Sequence, residues 1–336
     1  MSKRNLRGAT VVITGASSGI GRAAALTFAR HGAKLVLAAR RAEVLAEVAA
    51  ECERLGGAAL PVPTDVTDAQ AVAQLAEAAA AFGGQIDVWI NNVGTGAVGE
   101  FDKTPLEAHE QVLRVNLLGN LYGAYAVLPY FRRQQHGVLI FMNSLGGWVP
   151  MPYTVAYITS KFGLRGMAEA LRTELLDSPD IHVCSVYPAF VDTPGFQHGA
   201  NYSGKVVKPV SPIFAPQLVA DTLVALAQRP RPSVMVGWSG RVMRVFRAVA
   251  PGVTQWSMLR FFKIAQRRAD PAPVSEGSIF APQPAPRGTE ITGGHRGDSN
   301  SSGSKAWLGA ALVAGVAAGI YAWQRRTHSG AREESD

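Results

Sequence analysis

Seven short runs of apolar residues punctuate the first two-thirds of the chain: ATVVIT (9–14), AKLVLAA (33–39), AALPVPT (58–64), IDVWINN (86–92), GVLIFMNS (137–144), IHVCSVYP (181–188) and SVMVGW (233–238). Nearly continuous apolar runs of this length predict strands covered on both faces. Between them lie segments with helical periodicity, at 19–32, 41–57, 67–84, about 104–133, about 153–177 and 216–230. Gly32 and a Gly56–Gly57 pair stop the first two, and Thr67 or Asp68 caps the third. Strand–helix alternation predicts an α/β fold, a doubly wound parallel sheet in three layers with right-handed crossovers. Such sheets take ligands at the carboxyl ends of their strands, near the switch in strand order. Residues 189–215 carry no regular period and several Gly and Pro, which predicts a substrate lid.

The pattern changes after residue 238. In 239–269, Arg241, Arg244 and Arg247 recur every third residue with Val242, Val245, Phe246 and Val249 between them. This basic amphipathic extension fits either a packed C-terminal helix or a helix lying on anionic lipid. Residues 270–304 are rich in Pro, Gly and Ser and read as a disordered linker. AWLGAALVAGVAAGIYAWQ (306–324) has no charge. At about 1.5 Å per residue it spans roughly 28 Å, close to a bilayer core. Trp307, Tyr321 and Trp323 sit at interfacial positions, flanked by Lys305, Arg325 and Arg326. The expected organisation is therefore an α/β domain at 1–238, the basic extension, the linker, a transmembrane helix at 305–325 and a polar tail at 326–336. The rival reading of 306–324 is a soluble helix packed on a partner.

Charge follows this division. Of the net +8 over 336 residues, the block Thr222–Ala269 contributes nine Lys or Arg and no Asp or Glu, leaving the remainder close to neutral. Cys52 and Cys184 lie outside any CxxC or Cys/His cluster and read as reduced core residues. No metal-ligand spacing, nucleic-acid motif or secretory signal is visible. The expected localisation is a tail-anchored membrane protein with its catalytic domain in the cytoplasm.

TGASSGIG (14–21) follows the first strand and opens the first helix. Gly15, Gly19 and Gly21 permit a tight turn and close approach to a pyrophosphate, with Ser17, Ser18 and Ile20 in the same turn. The helix N-terminus offers free N–H groups to the phosphates. The spacing is a variant of the Rossmann turn. The second strand ends in Arg40 and Arg41, with no carboxylate to take an adenosine 2′-hydroxyl. A guanidinium there suits a 2′-phosphate, which points to NADP(H).

AYITSKFG (156–163) sets Tyr157 one helical turn before Lys161. A free phenol titrates near pH ~10, and a neighbouring cation lowers that value. With TGASSGIG, DVT (65–67), NNVG (91–94), Asn116, Ser144 and YITSK (157–161) in this order, the chain resembles the short-chain dehydrogenase/reductase family over about residues 6–238. The resemblance implies a catalytic tetrad of Asn116, Ser144, Tyr157 and Lys161. In it Tyr157 is the general acid or base, and Lys161 lowers its pKa and binds the nicotinamide ribose. Ser144 orients the substrate oxygen, and Asn116 disrupts its helix to hold a relay water. The resemblance also makes Asp65 and Val66 the adenine pair, Asn91 a sheet and cofactor neighbour, and Pro188 and Thr193 the nicotinamide stretch. Val93 and Ala189 depart from the usual Ala and Gly. The family often pairs its long helices, which implies a homodimer, although a C-terminal extension can block one interface.

The expected substrate wall is LGGWVPMPY (145–153) with 189–215, offering Trp148, Met151, Tyr153, Phe190, Phe196 and Tyr202. No Lys or Arg falls in 145–153, so an apolar alcohol, ketone or aldehyde is expected. A 3-oxoacyl-thioester reductase and a catalytically silent NADPH sensor are the alternatives.

Overall fold

A computed structural model describes residues 3–282 and 288–295. Its first half alternates β1 (Thr10–Thr14), α1 (Gly19–Arg30), β2 (Lys34–Ala39), α2 (Ala42–Arg54), β3 (Ala58–Pro63), α3 (Ala69–Gly83) and β4 (Val88–Asn91). Then come β5 (Ala97–Val98), α4 (Leu106–Leu113), α5 (Gly119–Gln134), β6 (Gly137–Met142), α6 (Val155–Glu174) and β7 (Ile181–Pro188). A short α7 (Gly195–His198), β8 (Ala200–Asn201), α8 (Pro216–Gln228), β9 (Ser233–Val236), α9 (Trp238–Val249) and α10 (Pro251–Arg268) complete the described elements. Each of the seven apolar runs forms one strand of a parallel sheet in the order β3-β2-β1-β4-β6-β7-β9. Strand order reverses between β1 and β4, which places a ligand crevice at their carboxyl ends.

The period of two along each strand builds two cores. Val11, Ile13, Leu35, Leu37, Val138 and Ile140 face one layer with Phe28 of α1, Leu45 of α2 and Leu223 of α8. Val12, Val36, Trp89, Leu139 and Phe141 face the other, with Leu75 of α3, Phe131 of α5 and Leu164 of α6. Full burial of each such side chain contributes about 1.5–3 kcal/mol. Asp68 caps α3 by accepting from Gln70 N and Ala71 N, as one of the two candidate caps predicts.

The long helix expected at 104–133 forms, with a π-helical turn at Arg114–Leu118 joining α4 to α5. The basic extension, expected as one amphipathic stretch, is two helices broken at Pro251. Proline has no N–H to continue α9, but it suits the first position of α10.

Of the expected linker 270–304, the described residues 270–282 and 288–295 hydrogen-bond to the domain, and Ile279 is buried; the rest lies outside the described residues. The expected transmembrane helix and polar tail lie outside the described residues. No helix among the described residues is long and apolar enough to cross a membrane.

Candidate active site

α6 carries Tyr157 and Lys161 one turn apart beside the carboxyl end of β6. Lys161 is 3% exposed, and its Nζ donates to Met142 O at 3.0 Å. Burial lowers its pKa to about 8, because an ammonium loses hydration there. The same Nζ lies 5.7 Å from the centroid of the Tyr157 ring. Burial raises the Tyr157 pKa, and a hydrogen bond with the Ser144 side chain opposes that rise. The direction is opposite to the lowering expected from Lys161. The ammonium is spent on a carbonyl at the end of β6, so desolvation of the phenol dominates in the protein alone.

Ser144 follows β6 in an extended conformation, and its Oγ accepts from Gly146 N at 3.1 Å. Asn116 is fully buried in the π turn, a feature often found at functional sites. Its side chain donates to Thr95 O (2.8 Å) and Ser160 Oγ (3.1 Å) and accepts from Thr95 N (2.8 Å). Its main-chain carbonyl accepts from Asn120 Nδ2 at 2.8 Å. Asn116 thus joins the loop after β4 to α6. The fold brings all four predicted residues to one edge of the sheet.

The nucleotide side is built from the turn between β1 and α1. Gly15 (φ 68°) and Gly19 (φ 53°) adopt left-handed conformations that other residues resist. Ser17 lies in the turn, and Ser18 is the N-cap of α1 without a side-chain cap bond. Ile20 packs on the core below, and Gly21 meets the backbone of Gly15, where a Cβ would overlap Gly15 O. Thr193 stands across from Gly19, 3.5 Å from where a Cβ would project. Pro188 ends β7 in register with Val236 of β9. Asp65 accepts from Thr67 N (2.9 Å) and Thr67 Oγ1 (2.8 Å), which shapes the loop after β3, and Val66 is buried beside Gly119.

Arg40 leaves the end of β2, with its pKa lowered by burial and partly restored by Asp65. Gly19 N and Arg40 both hold main-chain oxygens, Glu290 O at 2.9 Å on the first and Ser278 O and Phe280 O at 2.8 and 3.1 Å on the second. Both are therefore presented to oxygen acceptors of the kind a dinucleotide phosphate carries, so the residues fit that cofactor.

Four residues carry more, or something other, than the sequence suggested. Asn92, not Asn91, clamps the glycine turn: its Nδ2 donates to Thr14 O (3.0 Å) and Gly15 O (3.3 Å). Asn91 turns to the opposite layer, where it donates to Asn120 O (3.0 Å) and accepts from Trp89 Nε1 (2.9 Å). The doubled Asn in NNVG was the available signal. Asn143 accepts from Ser144 N (2.9 Å) and donates to Lys161 O (3.2 Å), tying two tetrad members together. Trp148, expected on the substrate wall, packs on Tyr187 and lies between the guanidiniums of Arg165 (3.4 Å) and Arg244 (3.9 Å). Tyr202 does join the apolar group around Tyr157, with Ala97, Ala156, Ala200 and Ile279.

A family profile described as short chain dehydrogenase matches residues 9–201, more than half of the chain. The chain belongs to the short-chain dehydrogenase family. It is 30% identical over 328 residues to the uncharacterized oxidoreductase YxnA of Bacillus subtilis, covering 95% of this chain and 91% of that protein. It is 33% identical over 227 residues to a 3-dehydrosphinganine reductase of Danio rerio, covering 65% of this chain and 68% of that protein. Among solved structures, an alcohol dehydrogenase of Thermococcus sibiricus complexed with 5-hydroxy-NADP superposes with a TM-score of 0.59 at 27% identity, covering 68% of this chain and 95% of that one. A short-chain dehydrogenase of this kind is an oxidoreductase that uses a nicotinamide dinucleotide, NAD(P)(H).

Proposed function

We propose that the protein is an NADP(H)-dependent oxidoreductase that interconverts a hydrophobic alcohol and its ketone or aldehyde at a membrane surface. The observation that carries this reading is Lys161, buried one turn from Tyr157 and tied to the end of β6, with the Ser144 side chain close enough to offset the burial that raises the phenol's pKa. The nicotinamide, when bound, supplies or accepts the hydride. Ser144 holds the substrate oxygen, and Tyr157 gives it a proton in reduction or takes one in oxidation. A phenol kept protonated by burial suits the acid role. Asn116 and Asn143 fix the loop and helix that present these groups.

Arg40 and Arg41 favour NADP(H), since each is a cation at the end of β2 where a 2′-phosphate is read. The substrate class follows from the lining: the group around Tyr157 is apolar, and 145–153 holds no cation. Similarity to an enzyme named for a long-chain sphingoid ketone agrees with that class. The membrane setting rests on exposed Val245, Val249, Trp256 and Ile264 among the arginines of α9 and α10, and on the uncharged stretch 306–324. Outward-facing Leu121 and Tyr125 of α5 and Phe162 of α6 fit a homodimer contact.

The test is reduction by the full-length chain of long-chain ketones, aldehydes and 3-oxoacyl thioesters, with NADPH and NADH in parallel. Stoichiometric alcohol from apolar ketones or aldehydes with NADPH preferred is the expected result. Turnover confined to the thioesters would replace the substrate class. Tight NADPH binding with no turnover would favour a silent sensor.

A further inference from the structure

Residues 270–282 and 288–295 cross the carboxyl edge of the sheet as a strap, and they touch both halves of the site. At the substrate side, Val206 N donates to Asp270 O (2.9 Å) and Ala272 N to Gly204 O (3.0 Å). Asn201 and Ser275 exchange N–H···O bonds of 2.7 and 3.0 Å. These bonds pin the segment 189–215. Ile279, 1% exposed, enters the apolar group that includes Tyr157 and Tyr202, and its carbonyl accepts from Gln111 Nε2 at 2.9 Å.

At the nucleotide side, the strap's oxygens sit on the cradle's own donors. Arg40 gives its NH1 and NH2 to Phe280 O and Ser278 O. Arg41 donates to Gly288 O (2.8 Å), and Arg22 donates to Thr289 O (2.8 Å). Gly19 N donates to Glu290 O at 2.9 Å. The buried Asp192 carboxylate then accepts from Gly293 N (3.1 Å) and His295 N (2.9 Å), holding the far end beside Thr193.

The Gly19 amide has one hydrogen. It does not serve Glu290 O and a phosphate oxygen together with full geometry. The two nitrogens of Arg40 are likewise turned to the strap. A dinucleotide seated on α1 and Arg40 therefore requires the strap to leave.

We propose that the strap is a built-in competitor of the dinucleotide, closing the cradle and the substrate segment in the free protein and being displaced when NADP(H) binds. The inference rests on the nucleotide reading proposed above. In its terms, the apparent affinity is the intrinsic one reduced by the fraction of molecules with the strap open. Because the same strap pins 189–215, opening it also frees the substrate segment.

The test uses the full-length protein. Amide hydrogen exchange is measured in 271–282 and 288–295 with and without NADPH. In parallel, NADPH affinity is measured for the wild type and a Gly277→Val/Gly288→Val variant. Both glycines have positive φ (58° and 71°), and a Cβ on either would overlap His198 or Gly199, so the change loosens the strap while every cradle donor keeps its own side chain and amide. The expected result is faster strap exchange with NADPH and at least about five-fold tighter NADPH binding by the variant. NADPH slowing strap exchange would overturn the proposal in favour of a lid that closes over the cofactor. NADPH binding without any change in strap exchange would overturn it too, and neither of these results needs the variant to fold. If NADPH binds neither protein, the nucleotide reading itself fails and the strap proposal falls with it.

Discussion

The sheet domain and the C-terminal extension are held in opposite ways. In the domain, β1, β4 and β6 are buried along their whole length, and the predicted catalytic residues lie at the edge of that frame. In α9 and α10, only Gly240 and Thr254 are buried, while Val249 is 80% and Trp256 54% exposed. The strap is different again, placed chiefly by main-chain hydrogen bonds rather than by a large apolar face. The contrast separates two kinds of information. Chemistry in the domain is specified by burial, whereas the extension carries exposed charge and apolar surface suited to an outside partner, together with a segment that folds back on the site.

The predictions that sharpen this contrast begin where burial sets chemistry. Tyr157→Phe removes the proposed proton-transferring group, and kcat/KM should fall about 10²–10⁴-fold while NADPH affinity stays within about three-fold. Steady-state kinetics beside a binding titration check both parts. At the exposed end, replacing Arg241, Arg260 and Lys263 by Gln should weaken binding to anionic vesicles about 10²-fold, at about 1 kcal/mol per cation near the surface, and leave ketone reduction unchanged. Sedimentation with anionic and neutral vesicles reads this, and equal binding to both would erase the contrast. Between these lies Arg40→Ser, which should lower the NADPH-over-NADH preference about ten-fold, the scale of one charged hydrogen bond. The ratio of kcat/KM values for the two cofactors reports it.

The smallest effect is on stability. Lys161 has a folded pKa near 8 against 10.5 for the free side chain. Between those values the unfolded chain binds more protons, so wild-type stability rises with pH across that window. Below pH 8 the native protein carries a buried ammonium at full cost. Lys161→Met should therefore gain most in thermal midpoint at pH 7, by a few degrees on the order of ~1–2 kcal/mol, and lose that lead as pH rises from 8 to 10.5. A lead independent of pH would contradict the assignment of the shift to burial.

The same contrast explains what the sequence made legible. All seven strands were readable because a strand covered on both faces is an uninterrupted apolar run, and helix periods fell between them. The four predicted catalytic residues meet because each sits on one of those elements or at its end. Asn92 and Asn143 were missed because a hydrogen-bonding amide at a strand end looks the same whether it faces the turn or the opposite layer. Trp148 was misplaced because an aromatic beside a predicted catalytic serine reads as pocket lining, and its two arginine neighbours come from α6 and α9, distant in sequence. The strap was hidden most completely. Its Pro, Gly and Ser side chains carry little patterning, while its carbonyls, which every residue has, make the contacts.

The central claim is direct hydride transfer to an apolar carbonyl, completed by Tyr157. It is tested most directly by reducing a long-chain ketone with NADPH deuterated at the transferable C4 position and analysing the alcohol by mass spectrometry. The account predicts one deuterium on the carbinol carbon for the wild type and alcohol formed about 10²–10⁴-fold more slowly by Tyr157→Phe. Alcohol lacking deuterium, or a Tyr157→Phe variant that forms it at the wild-type rate, would contradict the account.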